Sequence, residues 1–384
     1  MENYEYLHQS FKELYGKNAE ESFFSPGRVN LIGEHIDYNG GFVLPAAISL
    51  GITALVSRRN DTTINIFSQD FKEKAVIDIS KISQNDINKH HIKWPHYIIA
   101  TLLVLKENGV SLLGADIILS STLPLGTGLS SSAALECLIA YIFNHKYYQQ
   151  HKTTLALDAQ RAERQYVGVN CGIMDQFAVA NGKQEHAILL NCANLEFEYI
   201  PAVFNNYKLV IINSNKKRTL ADSKYNERRS ECDAAYKILS KFDVAPDLCN
   251  VHEISLAHLE DDILYQRTKH AILENKRVKN AVVALKQGNI DAFGQLLTAS
   301  HISLDKDYEV SCHELNMIVH YSTHFEGCIG ARMTGAGFGG CCIALVENDS
   351  VEKFINYVGK KYIEKTDFKA DFYLTDIVNG VTSI

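Results

Sequence analysis

The sequence predicts an α+β fold in two lobes, each a mixed or antiparallel sheet packed with helices, and three observations carry that prediction. The chain has 384 residues, beyond the ~250–300 at which a single hydrophobic core usually stops growing. In each half, strand-like and helix-like segments come in runs. A polar connection between residues 194 and 206, interrupted by Pro201, offers a boundary, so 1–203 and 204–384 are taken as the two lobes, with one continuous core as the alternative.

The elements follow in order. "MENYEYLHQSFKELYG" alternates acidic, aromatic and basic residues and predicts an amphipathic helix. "GFVLPAAISLGITALVSRRND" is apolar and β-branched up to a polar turn, and "TTINIFSQD" alternates, so strands of a mixed sheet are expected there. "WPHYIIATLLVLKENG" has helical length and a Gly stop, and a strand follows at "GADIILSST". "AALECLIAYIFNHKYY" and "TLALDAQRAERQYVG" predict two helices from good helix formers and three- and four-residue apolar spacing. "HAILLNC" and "YKLVIINSN" are strand-like. The second lobe opens with helices at "LADSKYNERRSECDAAYKIL", "TKHAILENKRVKNAVVALKQG" and "DAFGQLLTASHISL", and ends in strands at "CCIALVE" and "FKADFYLTDIV". No internal repeat or low-complexity tract interrupts this plan.

Composition narrows the function classes. Hydrophobic residues make up 46% and charged residues 22%, as in an ordinary globular protein. A formal net charge of −7 argues against a nucleic-acid partner. The N-terminus lacks the plan of a signal peptide, and no apolar run approaches the roughly 20 residues of a membrane span. The nine cysteines are scattered without a C-x-x-C pair, which predicts reduced thiols and a cytoplasmic setting.

Two glycine clusters carry more information. "PLGTGLSSSAALECLIA" passes from strand end to glycine turn to serine cluster to helix, an order that creates an anion site. Gly126 and Gly128 allow close backbone approach, the first helical turn offers free N–H groups, and Ser130, Ser131 and Ser132 add hydroxyls able to cap the helix, meet phosphate or ligate Mg2+. No Gly-Lys-Ser/Thr follows, so this is not a Walker A loop. "MTGAGFGGCCIALV" formally satisfies G-x-G-x-x-G, but its glycines precede a strand-like run instead of opening a helix, which excludes a dinucleotide fingerprint and an NAD-linked oxidoreductase. It is expected to bring backbone close to another loop or a ligand.

A third polar stretch, "PGRVNLIGEHIDYNGG", packs Arg28, Glu34, His35 and Asp37 within ten residues. With "PLGTGLSSSAAL", "VNCGIMDQFAVANG", "DSKYNERRSEC" and "RMTGAGFGGC" following in that order, the chain resembles the GHMP family of small-molecule kinases over nearly its whole length, and its first motif is most similar to members that phosphorylate galactose. The resemblance implies the GHMP kinase fold, with the active site between the lobes, ATP and Mg2+ as co-substrate and cofactor, and transfer of phosphate to the 1-hydroxyl of galactose. It implies a monomer whose partners are a small sugar and ATP.

Residue by residue, the resemblance places Asp175 and Arg28 at catalytic positions, Asp175 taking the hydroxyl proton and Arg28 holding both Asp175 and the passing phosphoryl group. Glu34, His35, Asp37, Gly172, Asp175 and Tyr225 fall on sugar-site positions. Gly126, Gly128, Leu129, Ser130, Ser131, Ser132 and Ala133 fall on the ATP phosphate loop, Ser132, or its neighbour Ser131, and Glu163 on metal positions, and Trp94 on the residue flanking adenine. Ile36 stands where the family usually has Thr, and "WPHYIIA" departs from the commoner pattern after the tryptophan. Taken alone, Asp175 also suits a helix start, His35 a core histidine, Tyr225 helix packing and Trp94 a core aromatic. His90 and His91 lack metal-ligand spacing and are expected in solvent. Two other functions remain open: a related kinase acting on N-acetylgalactosamine or another sugar, and a non-catalytic sensor of galactose and ATP.

Overall fold

The computed structural model describes residues 2–384 except 90–92, 125 and 218–220. His90 and His91 therefore lie outside the described residues. The N-terminal helix α1 (Glu2–Tyr15) leads into β1 (Glu21–Asn30), β2 (Phe42–Val43), β3 (Pro45–Arg58), β4 (Thr63–Ser68) and β5 (Glu73–Asp78). Then come α2 (Trp94–Glu107), β6 (Ala115–Ser121), α3 (Ser131–Tyr148), α4 (Lys152–Ala162) with a π-helical turn at Glu163–Val167, α5 (Met174–Asn181), β7 (His186–Asn191) and β8 (Phe197–Pro201). The remainder is β9 (Tyr207–Asn213), α6 (Ala221–Leu239), α7 (Asp262–Lys286), α8 (Ile290–Lys306), α9 (His313–Thr323), β10 (Cys328–Thr334), β11 (Cys341–Glu347), α10 (Val351–Thr366), β12 (Asp371–Thr375) and β13 (Thr382–Ser383).

Three sheets result. The six-stranded sheet runs β13-β1-β3-β6-β4-β5 and is mixed, because β4 pairs parallel with β6 while its other pairs are antiparallel. A four-stranded antiparallel sheet runs β10-β11-β9-β12, and a three-stranded one β2-β7-β8. Strand β4, with every second residue buried, shows the alternation that the sequence predicts.

Several elements escape the sequence pattern for identifiable reasons. Strand β1 carries Pro26 and Gly27, both poor strand formers, and the sheet tolerates them at a register shift between those two residues. Pro201 does not interrupt a polar connection: it ends β8, an edge strand, where its missing N–H costs no ladder bond. The final strand β13 returns to pair with β1, far from its sequence neighbours.

The apolar interior also differs from the two-core expectation. Buried side chains from Phe23 to Val381 form one contiguous cluster, with a small satellite of Leu7, Phe11, Leu55 and Ile118 under α1. Helix α7 accounts for part of this continuity, since it touches α6 and α8 as well as β2 and β8. The same helix braces the opening polar motif from behind.

Candidate active site

Strand β1 delivers Arg28 to the site and is pressed against the glycine-serine loop. A Cβ on Gly27 would meet Leu123 Cδ2 at 2.5 Å and the Leu129 carbonyl oxygen at 2.7 Å, so only glycine permits this approach. The Arg28 N–H donates to the Leu129 carbonyl at 3.2 Å, and the guanidinium donates to the Gly128 carbonyl at 2.7 Å. The same guanidinium grips Asp175 Oδ1 through Nε at 2.7 Å and a terminal nitrogen at 2.6 Å. Arg28 is buried, whereas the Asp175 side chain is one-third exposed. Asp175 stands in the first turn of α5 and also accepts the Ser130 hydroxyl at 2.6 Å through Oδ2.

Beyond β1 the chain makes an irregular loop whose backbone is fixed from the other half of the molecule. Glu274 of α7, fully buried, accepts the N–H groups of Gly33 and Glu34 through Oε1 at 2.9 and 3.3 Å. The Glu34 carboxylate accepts from Arg332 at 2.8 Å, from the Gly335 N–H at 3.0 Å and from the Asn30 amide at 3.3 Å. Burial pushes the Glu34 carboxyl upward, and the Arg332 and Arg28 charges oppose that shift. The second glycine cluster thus does what its backbone suggests, closing on the first motif.

His35 is held at φ 60, a strained conformation for a non-glycine residue and one typical of functional loops. Nε2 lies 3.1 Å from the Ala336 carbonyl, so it carries the proton, and Nδ1 accepts from the Tyr38 hydroxyl at 2.9 Å. The Tyr308 hydroxyl follows at 2.8 Å and the Cys232 sulfur 3.1 Å beyond it. Burial drives the imidazole down to about 3, so His35 is neutral.

Asp37 opens a short 3-10 turn and lies close enough to Asp175 to feel its charge. Burial first, then Asp175 and Glu34, raise its carboxyl to about 7. Gly172 lies against its Oδ2 atom. Tyr225 of α6 joins from the other half, its ring 5.5 Å from His35 and 5.3 Å from Tyr38, with its hydroxyl raised by burial and by Asp37 and Asp175. Among the described residues no hydrogen-bond partner takes that hydroxyl. Arg28, His35, Asp37, Gly172, Asp175 and Tyr225 are therefore gathered around one space.

Around the glycine-serine loop the expectations divide. Gly126 sits at φ 70 with open space before it, and Ser131 and Ser132 begin α3, so N–H groups and hydroxyls are available to an anion. Ser130 differs from a phosphate-binding serine: its one hydroxyl proton goes to Asp175, leaving only its backbone for a phosphate. Leu129 and Ala133 bury their side chains, so they too can offer only backbone. Glu163, buried on the π-helical turn, has its carboxyl raised by burial and by Asp175, with the Ser132 hydroxyl beside it acting in the opposite direction. A buried carboxylate with a hydroxyl neighbour and, among the described residues, no cationic partner suits a divalent cation. Among the described residues no cluster of three His, Cys, Asp or Glu side chains could hold a metal alone.

Trp94 stands apart from these groups. It is buried at the start of α2, stacked on the half-exposed Phe71 with ring centroids 6.4 Å apart, and its Nε1 has no hydrogen-bond partner among the described residues. An orphaned indole donor under an exposed aromatic ring is compatible with a base site. Arg332, Glu274, Tyr38, Tyr308 and Phe71 are absent from the sequence reading. Arg332 alone left a signal, as the charged residue beside the second glycine cluster.

The comparisons agree with this arrangement. Residues 9–58 match the galactokinase galactose-binding signature, 96–183 the GHMP kinase N-terminal domain and 281–364 the GHMP kinase C-terminal domain. A galactokinase of Clostridium perfringens (strain SM101 / Type A) is 44% identical over 98% of this chain and 99% of its own length. One from Ligilactobacillus salivarius is 43% identical over 97% of this chain and 98% of its own length. The crystal structure of Lactococcus lactis galactokinase complexed with galactose superposes with a TM-score of 0.92 at 38% identity, covering 99% of this chain and 100% of that one. Methanococcus jannaschii mevalonate kinase shares the fold alone, with a TM-score of 0.67 at 20% identity over 93% of this chain and 98% of its own. Matched family signatures, site geometry and full-length similarity converge, and the chain belongs to the galactokinase family of the GHMP kinases.

Proposed function

We propose that this chain transfers the γ-phosphoryl group of ATP to the 1-hydroxyl of galactose, giving galactose 1-phosphate and ADP. The observation that carries the reading is the Arg28–Asp175 ion pair, set where Asp37, Gly172 and Tyr225 meet the glycine-serine loop.

The roles follow from what phosphoryl transfer asks of a protein, which is alignment and charge neutralisation more than covalent chemistry. Asp175 accepts the proton of the 1-hydroxyl as its oxygen attacks phosphorus, and the bond to the ADP oxygen breaks. Arg28 and Ser130 fix the orientation of Asp175, and Arg28 also lies beside the path of the phosphoryl group. Asp37 and Tyr225 answer the other sugar hydroxyls, with Glu34 free to accept one more, while His35, both of whose ring nitrogens are already paired, holds the loop that carries Asp37 in shape. A site built to pair particular hydroxyls rejects analogues by on the order of 10^4-fold, because unpaired buried groups are costly.

The phosphates lie on Gly126, Gly128, Ser131, Ser132 and the backbone from Leu129 to Ala133. Trp94 and Phe71 flank the base. Ser132 and Glu163 hold Mg2+, which supplies positive charge to the phosphate oxygens. The lobes divide near residue 203. The protein acts as a monomer, and nine free cysteines suit the reducing cytoplasm.

An ADP-release assay across galactose, glucose, N-acetylgalactosamine and arabinose tests the reading. Turnover on galactose is expected, with collapse in Asp175→Asn while nucleotide binding persists. Turnover confined to N-acetylgalactosamine would point to the related kinase, and none on any sugar to a sensor.

A further inference from the structure

Gln176, next to Asp175 on α5, has a completely buried side chain. Its amide nitrogen donates to Glu163 Oε2 at 2.6 Å and to Glu136 Oε2 at 3.2 Å. One neutral group thereby spends both of its N–H donors on two buried glutamates. Glu136 lies four residues beyond Ser132 on α3, which puts the two on the same helix face. Glu163 Oε2 also receives the Cys171 thiol at 3.4 Å, so both hydrogen bonds fall on that oxygen and Oε1 is left out of them.

A merely structural network would be expected to satisfy its members. Here Gln176 Oε1 and Glu136 Oε1 are both buried without a hydrogen-bond partner among the described residues. Retaining such groups in an interior is costly, and apolar side chains of the same size would avoid that cost. The residue type is informative as well. A lysine at 176 would cancel the negative charge of Glu163, and a glutamate would repel it. An amide restrains the carboxylate and leaves its charge intact.

We propose that Gln176 is a positioning residue that clamps Glu163 through Oε2, with Glu136 bracing the amide from behind, so that Oε1 and the Ser132 hydroxyl are presented to the divalent cation that accompanies ATP. This rests on the reading above in which Ser132 and Glu163 take that cation. Groups that orient a metal ligand from behind typically change metal affinity by about 10–100-fold when removed.

The test uses the full chain with Mn2+ and a non-hydrolysable ATP analogue, free Mn2+ being read by electron paramagnetic resonance. Gln176→Leu should weaken Mn2+ binding by roughly 10–100-fold. The Mg2+ concentration for half-maximal rate should rise by the same factor, while kcat at saturating Mg2+ and the galactose KM stay near those of the unmodified protein. Gln176→Asn, which keeps the amide but is too short to reach both glutamates, should behave alike and serves if the leucine variant does not fold. Unchanged Mn2+ affinity in a folded variant, or a kcat loss that Mg2+ does not rescue, overturns the proposal. Glu163→Gln separates the two levels. If it too leaves Mn2+ binding unchanged, the metal assignment itself fails; if it alone weakens binding, only the role of Gln176 does.

Discussion

A Cβ placed on Gly172 would stand 1.8 Å from Oδ2 of Asp37. No side chain fits there, so the contact between the loop before α5 and the first polar motif exists only because residue 172 is glycine. The obstructing atom is the end of a side chain, and the fold can therefore survive a substitution that the site cannot. The strained point is the carboxylate, not the backbone.

Gly172→Ala is accordingly expected to fold with near-normal thermal stability and to push Asp37 out of place. A displacement of about 1 Å in a binding group can cost on the order of 100-fold in kcat/KM. The loss should appear in the galactose KM with the ATP KM unchanged. Steady-state kinetics with each substrate varied in turn checks this, and equal damage to both constants would refute the assignment of Gly172 to the sugar side.

Residues that announce chemistry by clustering were legible in the sequence: Arg28, Glu34, His35 and Asp37 fall within ten positions, and Ser130 to Ser132 follow a glycine turn. What holds them was not. Glu274 braces the backbone of Gly33 and Glu34 from more than 200 residues away, and Tyr308 reaches Tyr38 across a similar gap. Single buried partners of that kind lie on helices whose periodicity records only which face is inside. Strand β1 was hidden for a different reason, since Pro26 and Gly27 obey the requirements of a bulge and of a neighbouring loop rather than strand propensity. Pro201 misled in the same way, by sitting at the end of an edge strand.

Arg332 shows how far the third motif matters. Its side chain is fully buried and donates to the carbonyls of Asn30 and Leu31 at 3.2 and 2.9 Å and to Glu34 at 2.8 Å. Removing one partner of a buried ion pair typically costs about 3–5 kcal/mol, because the other charge is stranded. Arg332→Met should destabilise the protein by that order and raise the galactose KM. Adding Glu34→Gln should recover part of the stability, since the stranded charge is gone, without restoring galactose affinity. Chemical denaturation of the two single variants and the double variant measures the coupling. Additive losses would mean that the pair is not the unit that shapes the sugar loop.

The remaining prediction concerns Asp37, whose carboxyl is raised from 3.8 to about 7 by burial, then by Asp175 and Glu34. Below pH 7 the folded protein holds a proton there that the unfolded chain releases near the usual carboxylate value. Within that window the folded state binds more protons, so this group's contribution to stability falls as pH rises from about 4 to 7 and is level above it. Sugar hydroxyls that donate to Asp37 favour the ionised form, so galactose binding below pH 7 should expel a proton. Affinity should then weaken as pH drops through 7, by at most about tenfold per pH unit. Calorimetry in two buffers of different ionisation enthalpy should register proton release at pH 6 and little at pH 8. Asp37→Asn should abolish the release and flatten the pH dependence of stability. Galactose binding with no proton release at pH 6 would place the sugar's hydroxyl donors on Asp175 or Glu34 in place of Asp37.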